Sequence, residues 1–360
     1  MKLRRLGAIV LKELRQLRRD RLTFGMIVGI PILQLALFGY AINLDVRKLD
    51  AAVLDQANTA RSREFTQLVA HAQVLDLRER LYTPQAVDAR IGSGEISAAL
   101  IIPPDFENRL ERRDRPPAQI VVDGSDQAVQ AAVRQLANAP LPGAGPAPPG
   151  IAVVDFYNPQ RRAPLNTVPG LIGVILTMTM VLFTASALVR ERERGNLEML
   201  IATPVSPWEL TLGKVLPFIG IGLLQVTVVL GLGWLLFEVP IRGSGLQLYL
   251  AALVFILASL ALGVLLSTLA RSQFQALQMA IFTFLPQILL SGFMFPYAAM
   301  PRPAQWIAEG LPLTHFLRLV RGIMLRGVSI TTLWEPLLAL LLFTAITLSL
   351  AVTRVRKRLD

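Results

Sequence analysis

The chain has 360 residues, 53% of them hydrophobic, with a formal net charge of +11 and no cysteine. A mean hydropathy of +0.51 excludes an ordinary soluble domain, whose surface must carry charge, and the basic residues flank apolar runs instead of covering a polar fold, which argues against nucleic acid as a partner. With no cysteine there is no disulfide, thiol catalysis or thiolate metal site.

Residues 1–22 come first, with Leu3, Leu6, Val10, Leu14 and Leu17 at helical spacing among basic side chains. This stripe predicts a cytoplasmic amphipathic helix lying on membrane lipids; a solvated charged leader would leave it nothing to bury. Residues 23–44 follow as the first span. The apolar run Phe24 to Leu44 is long enough to cross about 30 Å of hydrocarbon, and no small-residue cleavage site follows it, so a retained anchor is expected rather than a signal peptide. The Gly25 to Gly29 spacing matches GxxxG, but in so glycine-rich a chain it carries no argument.

Residues 45–167 differ in kind, being polar and nearly balanced in charge. Short apolar strands are predicted at Ala51 to Leu54, Val74 to Leu77, Ile96 to Ile102, Ile120 to Val122 and Ile151 to Phe156. Helices are predicted between them near Arg61 to Ala72, Pro84 to Ile91, Asp105 to Arg112 and Gln127 to Ala137, which makes an α/β domain with a parallel or mixed sheet. The Pro/Gly-rich segment 140–150 reads as a mobile loop.

Residues 168–360 hold five further apolar runs: Pro169 to Val189, Leu212 to Phe237, Leu246 to Leu269, Ala276 to Tyr297 and Leu333 to Val352. The fold class predicted is thus a polytopic α-helical membrane protein with six transmembrane helices and an inserted α/β extracytoplasmic domain. Basic residues cluster before the first span (Lys2, Arg4, Arg5, Lys12, Arg15, Arg18, Arg19, Arg21) and after the last (Arg354, Arg356, Lys357, Arg358), so both termini are expected in the cytoplasm. Arg302, Arg318, Arg321 and Arg326 then fall outside. They suggest an outer re-entrant or amphipathic segment, 298–330, with Leu317, Leu319, Ile323 and Leu325 in lipid and the arginines snorkelling. The ionisable residues Lys214, Glu238 and Glu335 sit near the ends of runs, so no intramembrane proton or metal relay is visible.

The densest polar signal is the cytoplasmic loop 190–211, which contains Arg190-Glu-Arg-Glu-Arg-Gly-Asn-Leu-Glu-Met-Leu-Ile-Ala-Thr-Pro204. Leu197, Leu200, Ile201 and Pro204 give a short apolar face and Glu191, Glu193, Arg194 and Glu198 offer charge, which suits either a small docking helix or a solvated turn.

At these residues the sequence resembles the ABC-2-type transporter permeases, in the branch with a large extracytoplasmic domain after the first helix. Matching pieces are Lys12-Glu-Leu-Arg-Gln-Leu-Arg-Arg-Asp20, Ile101-Ile-Pro-Pro-Asp-Phe106, Val122-Asp-Gly-Ser125, Glu191 to Glu198 through Thr203-Pro204 to Gly213-Lys214, and Ser291-Gly-Phe-Met-Phe-Pro296 with Pro312-Leu-Thr and Arg321-Gly. The resemblance implies a permease subunit of an exporter in the bacterial inner membrane, moving an amphipathic or lipid-like/drug-like substrate out of the cytoplasm. It implies contact with the ATPase through Glu191, Glu193, Arg194, Gly195, Leu197, Glu198, Leu200, Thr203 and Pro204. It also implies separate ABC ATPase subunits carrying ATP and magnesium, no cofactor in this chain, and a dimer with a second copy or a similar permease. A periplasmic adaptor is a further partner in view. Asn196 stands where Thr is commoner.

Other chemistry finds little support. Gly213-Lys214 lacks the upstream glycine and the Ser or Thr of a phosphate-binding loop. His71 and His315 have no neighbours at metal-ligand spacing. Asp123-Gly-Ser-Asp126 suits a turn and helix cap better than a nucleophile, which needs a base within reach. The rival readings are an anchored receptor or adhesin, for which the 190–204 element would be superfluous, and a membrane enzyme with a pocket in residues 45–167.

Overall fold

The computed structural model describes residues 48–138, 150–160, 162–193 and 207–356. The interfacial helix at 1–22, the first span at 23–44 and most of the 140–150 segment therefore lie outside the described residues.

The first unit alternates strands and helices: β1 (Leu49–Asp55), α1 (Ala60–His71), β2 (Leu75–Arg80), α2 (Pro84–Ser93), β3 (Ala98–Ile102), α3 (Phe106–Arg112), β4 (Gln119–Asp123), α4 (Gln127–Asn138) and β5 (Ala152–Phe156). The sheet order is β2-β1-β3-β4-β5, parallel throughout except for the antiparallel β3–β4 pair. Alternation along the strands feeds two cores. Ala51, Val53, Leu100, Ile102, Ile120 and Val122 face α1, α3 and α4, while Ala52, Leu54, Ala99 and Val121 face α2. Phe65 of α1 and Phe106 of α3 meet at 5.3 Å between ring centroids. Local chemistry sets the helix starts. Thr59 Oγ1 accepts from Ser62 N at 3.1 Å and Thr59 N donates to Ser62 Oγ at 3.0 Å, a capping box that opens α1.

The second unit is a helical bundle: α5 (Ala163–Glu193), α6 (Pro207–Phe237), α7 (Gly245–Leu269), α8 (Gln273–Leu290), α9 (Arg302–Glu309), α10 (Pro312–Arg321) continued by a π-helical turn (Gly322–Arg326), and α11 (Trp334–Arg356). Among the described residues five helices, α5, α6, α7, α8 and α11, are long and apolar enough to cross a membrane. The most buried is α7; its Phe255 stacks on Phe316 of α10 at 4.2 Å and 8°. Gly173 on α5 admits this layer, since a Cβ there would lie 2.5 Å from Leu313 Cδ1 and 2.9 Å from Phe316 Cδ1.

Two expectations change. The fifth apolar run was expected to span to Tyr297, yet α8 stops at Leu290 and Gly292, at φ +86°, turns the chain. Leu289, Leu290 and Met300 then pack with Ala308 of α9, so the chain folds back onto protein, with Met294 exposed at the turn. Likewise Leu317, Leu319, Ile323 and Leu325 do not face lipid: each is 1% exposed or less, in the core shared with α5, α7 and α11. Arg318, Arg321 and Arg326 are engaged by protein groups instead of snorkelling, while Arg302 is exposed.

Candidate functional site

At the end of the bundle far from the sheet, α5 closes on the turn joining α7 to α8. Gln273 opens α8, where backbone N–H groups lack intrahelical partners. Ser272 Oγ caps one of them, from Gln275, at 3.2 Å, and Glu193 takes another: its carboxylate accepts from Gln273 N at 2.9 Å and from Gln273 Nε2 at 2.5 Å. Those bonds hold the Glu193 carboxyl below the usual range. Arg190 Nε donates to Gln273 Oε1 at 3.3 Å and Arg192 to the Ala270 carbonyl at 3.1 Å. Behind this clamp Val181, Ala185 and Val189 pack on Leu262, Leu266 and Ala276.

Of the residues assigned from sequence to the ATPase contact, Glu191 and Glu193 belong to the last turn of α5. Arg194, Gly195, Leu197, Glu198, Leu200, Thr203 and Pro204 lie outside the described residues. Gln273 and Ala270 were not foreseen. The signal available was a Ser-Gln pair at a helix start, legible as a cap but silent on which distant carboxylate reaches it.

Midway along the bundle an apolar groove runs between α5 and α8, lined by Met178, Val181, Leu182, Leu277, Ile281 and Phe284, with Thr177 and Gln287 as its polar rim. The side-chain oxygens of Gln278 and Gln287 are buried without a protein partner, while Thr179 Oγ1 donates to Gln225 Oε1 at 2.9 Å. Such a surface suits a largely apolar molecule with a few polar groups.

At the sheet end the polar groups are closely engaged. Glu309 accepts from Arg318 NH1 at 3.0 Å and from Tyr297 Oη at 2.5 Å, and Arg318 lies over the Tyr297 ring at 4.8 Å. Burial opposes ionisation of Glu309, but these donors outweigh it and its carboxyl is held below the ordinary value. His315 is buried, with Nε2 donating to the Glu309 carbonyl at 2.8 Å and Nδ1 lacking a partner. Burial pushes its pKa down, since a proton on Nδ1 would be unsatisfied.

His71 is exposed and Ser125 N donates to Asp123 Oδ1 at 2.9 Å, a turn rather than a nucleophile with its base. Glu238 pairs with Arg162 at 3.5 Å and Glu335 is exposed; the Lys214 side chain lies outside the described residues. No group of three potential metal ligands occurs among the described residues.

Comparison with known proteins bears on this arrangement. A family profile described as "ABC-2 family transporter protein" matches residues 21–353. The probable multidrug ABC transporter permease YbhR of Escherichia coli (strain K12) is 30% identical over 365 residues, covering 98% of this chain and 99% of the relative. The similarly named YbhS is 30% identical over 374 residues, covering 99% and 98%. The inner membrane transport permease YhhJ is 29% identical over 300 residues, 78% of each chain. The chain belongs to the ABC-2 transporter family and is a permease subunit of an ABC exporter.

Proposed function

We propose that this permease exports an amphipathic, drug-like substrate from a bacterial inner membrane, and that residues 191–204 transmit force from an ABC ATPase into the bundle. The observation that carries this reading is the clamp at the end of α5: the segment proposed to touch the ATPase leads directly out of Glu193, which holds the start of α8. A push on residues 194–204 thereby reaches α5 and α8 together, the two helices that line the apolar groove. The multidrug description of the relatives and that lining both favour an amphipathic cargo. ATP and magnesium bind on the partner subunit.

In this reading residues 24–44 supply a sixth span, both termini are cytoplasmic and the sheet domain stands outside, available to a periplasmic adaptor. Exposed Trp234, Trp306 and Trp334, near the sheet end of the bundle, suit a membrane–water boundary at that end, and the orientation itself rests on the Lys/Arg asymmetry. Two permeases, identical or similar, make the complete path.

The test is copurification of an ATPase with the full chain, followed by transport-coupled ATP hydrolysis. Truncating buried anchors of a docked helix costs on the order of 2 kcal/mol, so Leu197→Ala with Leu200→Ala lowers ATPase association many-fold while membrane insertion survives. Wild-type association in the folded double variant would sink the assignment.

A further inference from the structure

The π-helical turn Gly322–Arg326 ends in a left-handed Gly327, at φ +72°, and leaves carbonyls that its own helix does not satisfy. The loop between α6 and α7 supplies donors. Gly243 N donates to the Ile323 carbonyl at 3.0 Å and Arg242 N to the Met324 carbonyl at 2.9 Å, while Arg242 NH1 reaches the Leu325 carbonyl at 3.1 Å. The turn is thus built rigidly into the bundle. From it two cations reach the sheet domain.

Arg326, of whose side chain 10% is exposed, lies 3.7 Å from Asp123 Oδ2 and donates to the Gly92 carbonyl at 3.4 Å. Arg321 lies 3.7 Å from Asp126 and donates to the Gly292 carbonyl at 3.2 Å. Arg242 NH2 completes the set, donating to the Tyr157 carbonyl at 3.0 Å. Gly94 makes room: a Cβ at this left-handed position, φ +81°, would collide with the Arg326 guanidinium. The Asp123-Gly-Ser-Asp126 turn is therefore a receptor for two arginines of the bundle. Its carboxylates are supplied by the end of β4 and the start of α4, so the contact grips the sheet itself and not a loose loop.

We propose that Asp123 and Asp126, gripped by Arg326 and Arg321, form a latch that makes the sheet domain move as one body with the α10 segment and so relays the transport cycle to the outer face. α10 packs in the core shared with α5 and α7, so a shift of those helices moves the arginines, and with them the sheet. The relay rests on the exporter reading; the rigidity of the joint does not.

The two parts are tested separately on the full-length cysteine-free chain. Spin labels at Ala60→Cys on α1 and Leu246→Cys on α7, both exposed, report the distance between sheet and bundle. Asp123→Asn keeps the oxygen that accepts from Ser125 N and deletes the charge facing Arg326, so the local turn survives; Arg326→Ala removes the whole grip, and Arg326→Lys restores charge alone. The distance distribution is narrow in the wild type, broadens with Asp123→Asn and more with Arg326→Ala, and narrows partly with Arg326→Lys. With the ATPase that copurifies with the wild-type chain, Arg326→Ala retains ATP hydrolysis per folded molecule and loses transport per ATP by about fivefold, the lower end of ordinary coupling between sites. An unchanged distance distribution in both Asp123→Asn and Arg326→Ala overturns the latch. Hydrolysis and transport falling together in Asp123→Asn, in proportion to folded protein, overturns the relay. Failure of any ATPase to copurify with the wild type counts against the exporter mechanism, and the spin-label result still decides the joint.

Discussion

The two ends of the helix bundle use the same kinds of groups in opposite ways. At the sheet end Arg326 and Asp123 are each 10% exposed, and the carbonyls of the π turn are paired with named donors. At the far end Glu193 and Gln273 make a comparably dense set of hydrogen bonds, but Glu193 stands in the open. Breaking a buried charged contact strands its partner in a place water does not reach, whereas an exposed one exchanges protein for water at little cost. One end is thus built as a fixed joint and the other as a contact that rearranges cheaply, which suits the role proposed for that segment beside an ABC ATPase.

The largest effect tests the helical core behind the joint. Phe316→Ala removes a ring that is 0% exposed and stacked on Phe255, and truncations of this kind cost about 3–5 kcal/mol. Loss of folded yield and a lower melting temperature in detergent are the expected result, read by size-exclusion profile and thermal unfolding. At the other end Glu193→Ala leaves the melting temperature within experimental error and lowers coupled ATP hydrolysis. Equal destabilisation by the two variants would erase the contrast between the ends.

A smaller effect is pH dependence, which the sheet end concentrates. The folded chain depresses the His315 pKa below its ordinary 6.5, because burial disfavours the cation. The stability this reflects is complete above about pH 6.5 and drains away as pH falls through the folded value. Glu309 has the same sense lower down: its folded pKa lies below 4.5, so its contribution is complete above that value and lost as acid protonates it. Melting temperature therefore falls in two stages on acidification. His315→Gln, which keeps a donor towards the Glu309 carbonyl, removes the first stage only; an unchanged profile would show that the buried imidazole does not titrate against stability.

How much of this was legible beforehand follows from the range of the interactions. Alternation of apolar residues is a local property, and Leu100, Ile102, Ile120 and Val122 declared their strands because side chains on a strand point to opposite faces at every step. Hydropathy placed the five described apolar helices for the same reason, except after Leu290, where Phe293 to Phe295 are apolar enough to prolong a helix but Gly292 turns the chain away from one. The leucines of α10 were misread because an apolar stripe states that burial occurs and not whether lipid or protein supplies it. The arginine latch was out of reach: Arg326 and Gly92 are separated by more than two hundred residues, and Asp123-Gly-Ser-Asp126 is self-sufficient as a turn. At the far end the acidic character of Glu193 was legible, but its bond to Gln273, eighty residues on, was not.

The smallest effect on the single chain sharpens the comparison from the side of the bundle. Along α6, Leu224, Val228, Leu232 and Leu235 are all exposed, and a Cβ added at Gly220 or Gly231 would meet nothing within 4 Å. In a lone chain this face has lipid as its neighbour, so Gly231→Leu neither clashes nor leaves a cavity, and the helix gains from losing a glycine by at most about 1 kcal/mol. Folded yield and melting temperature of the isolated subunit stay at or slightly above wild type, in contrast to Phe316→Ala in the core. The same variant reads out assembly, because close packing of two membrane helices depends on small residues that a leucine would hold apart. If two permeases meet through α6, the dimer seen by cross-linking in membranes weakens while the monomer remains sound; if dimerisation is unaffected, α6 is a lipid-facing wall and the second copy docks on another face of the bundle.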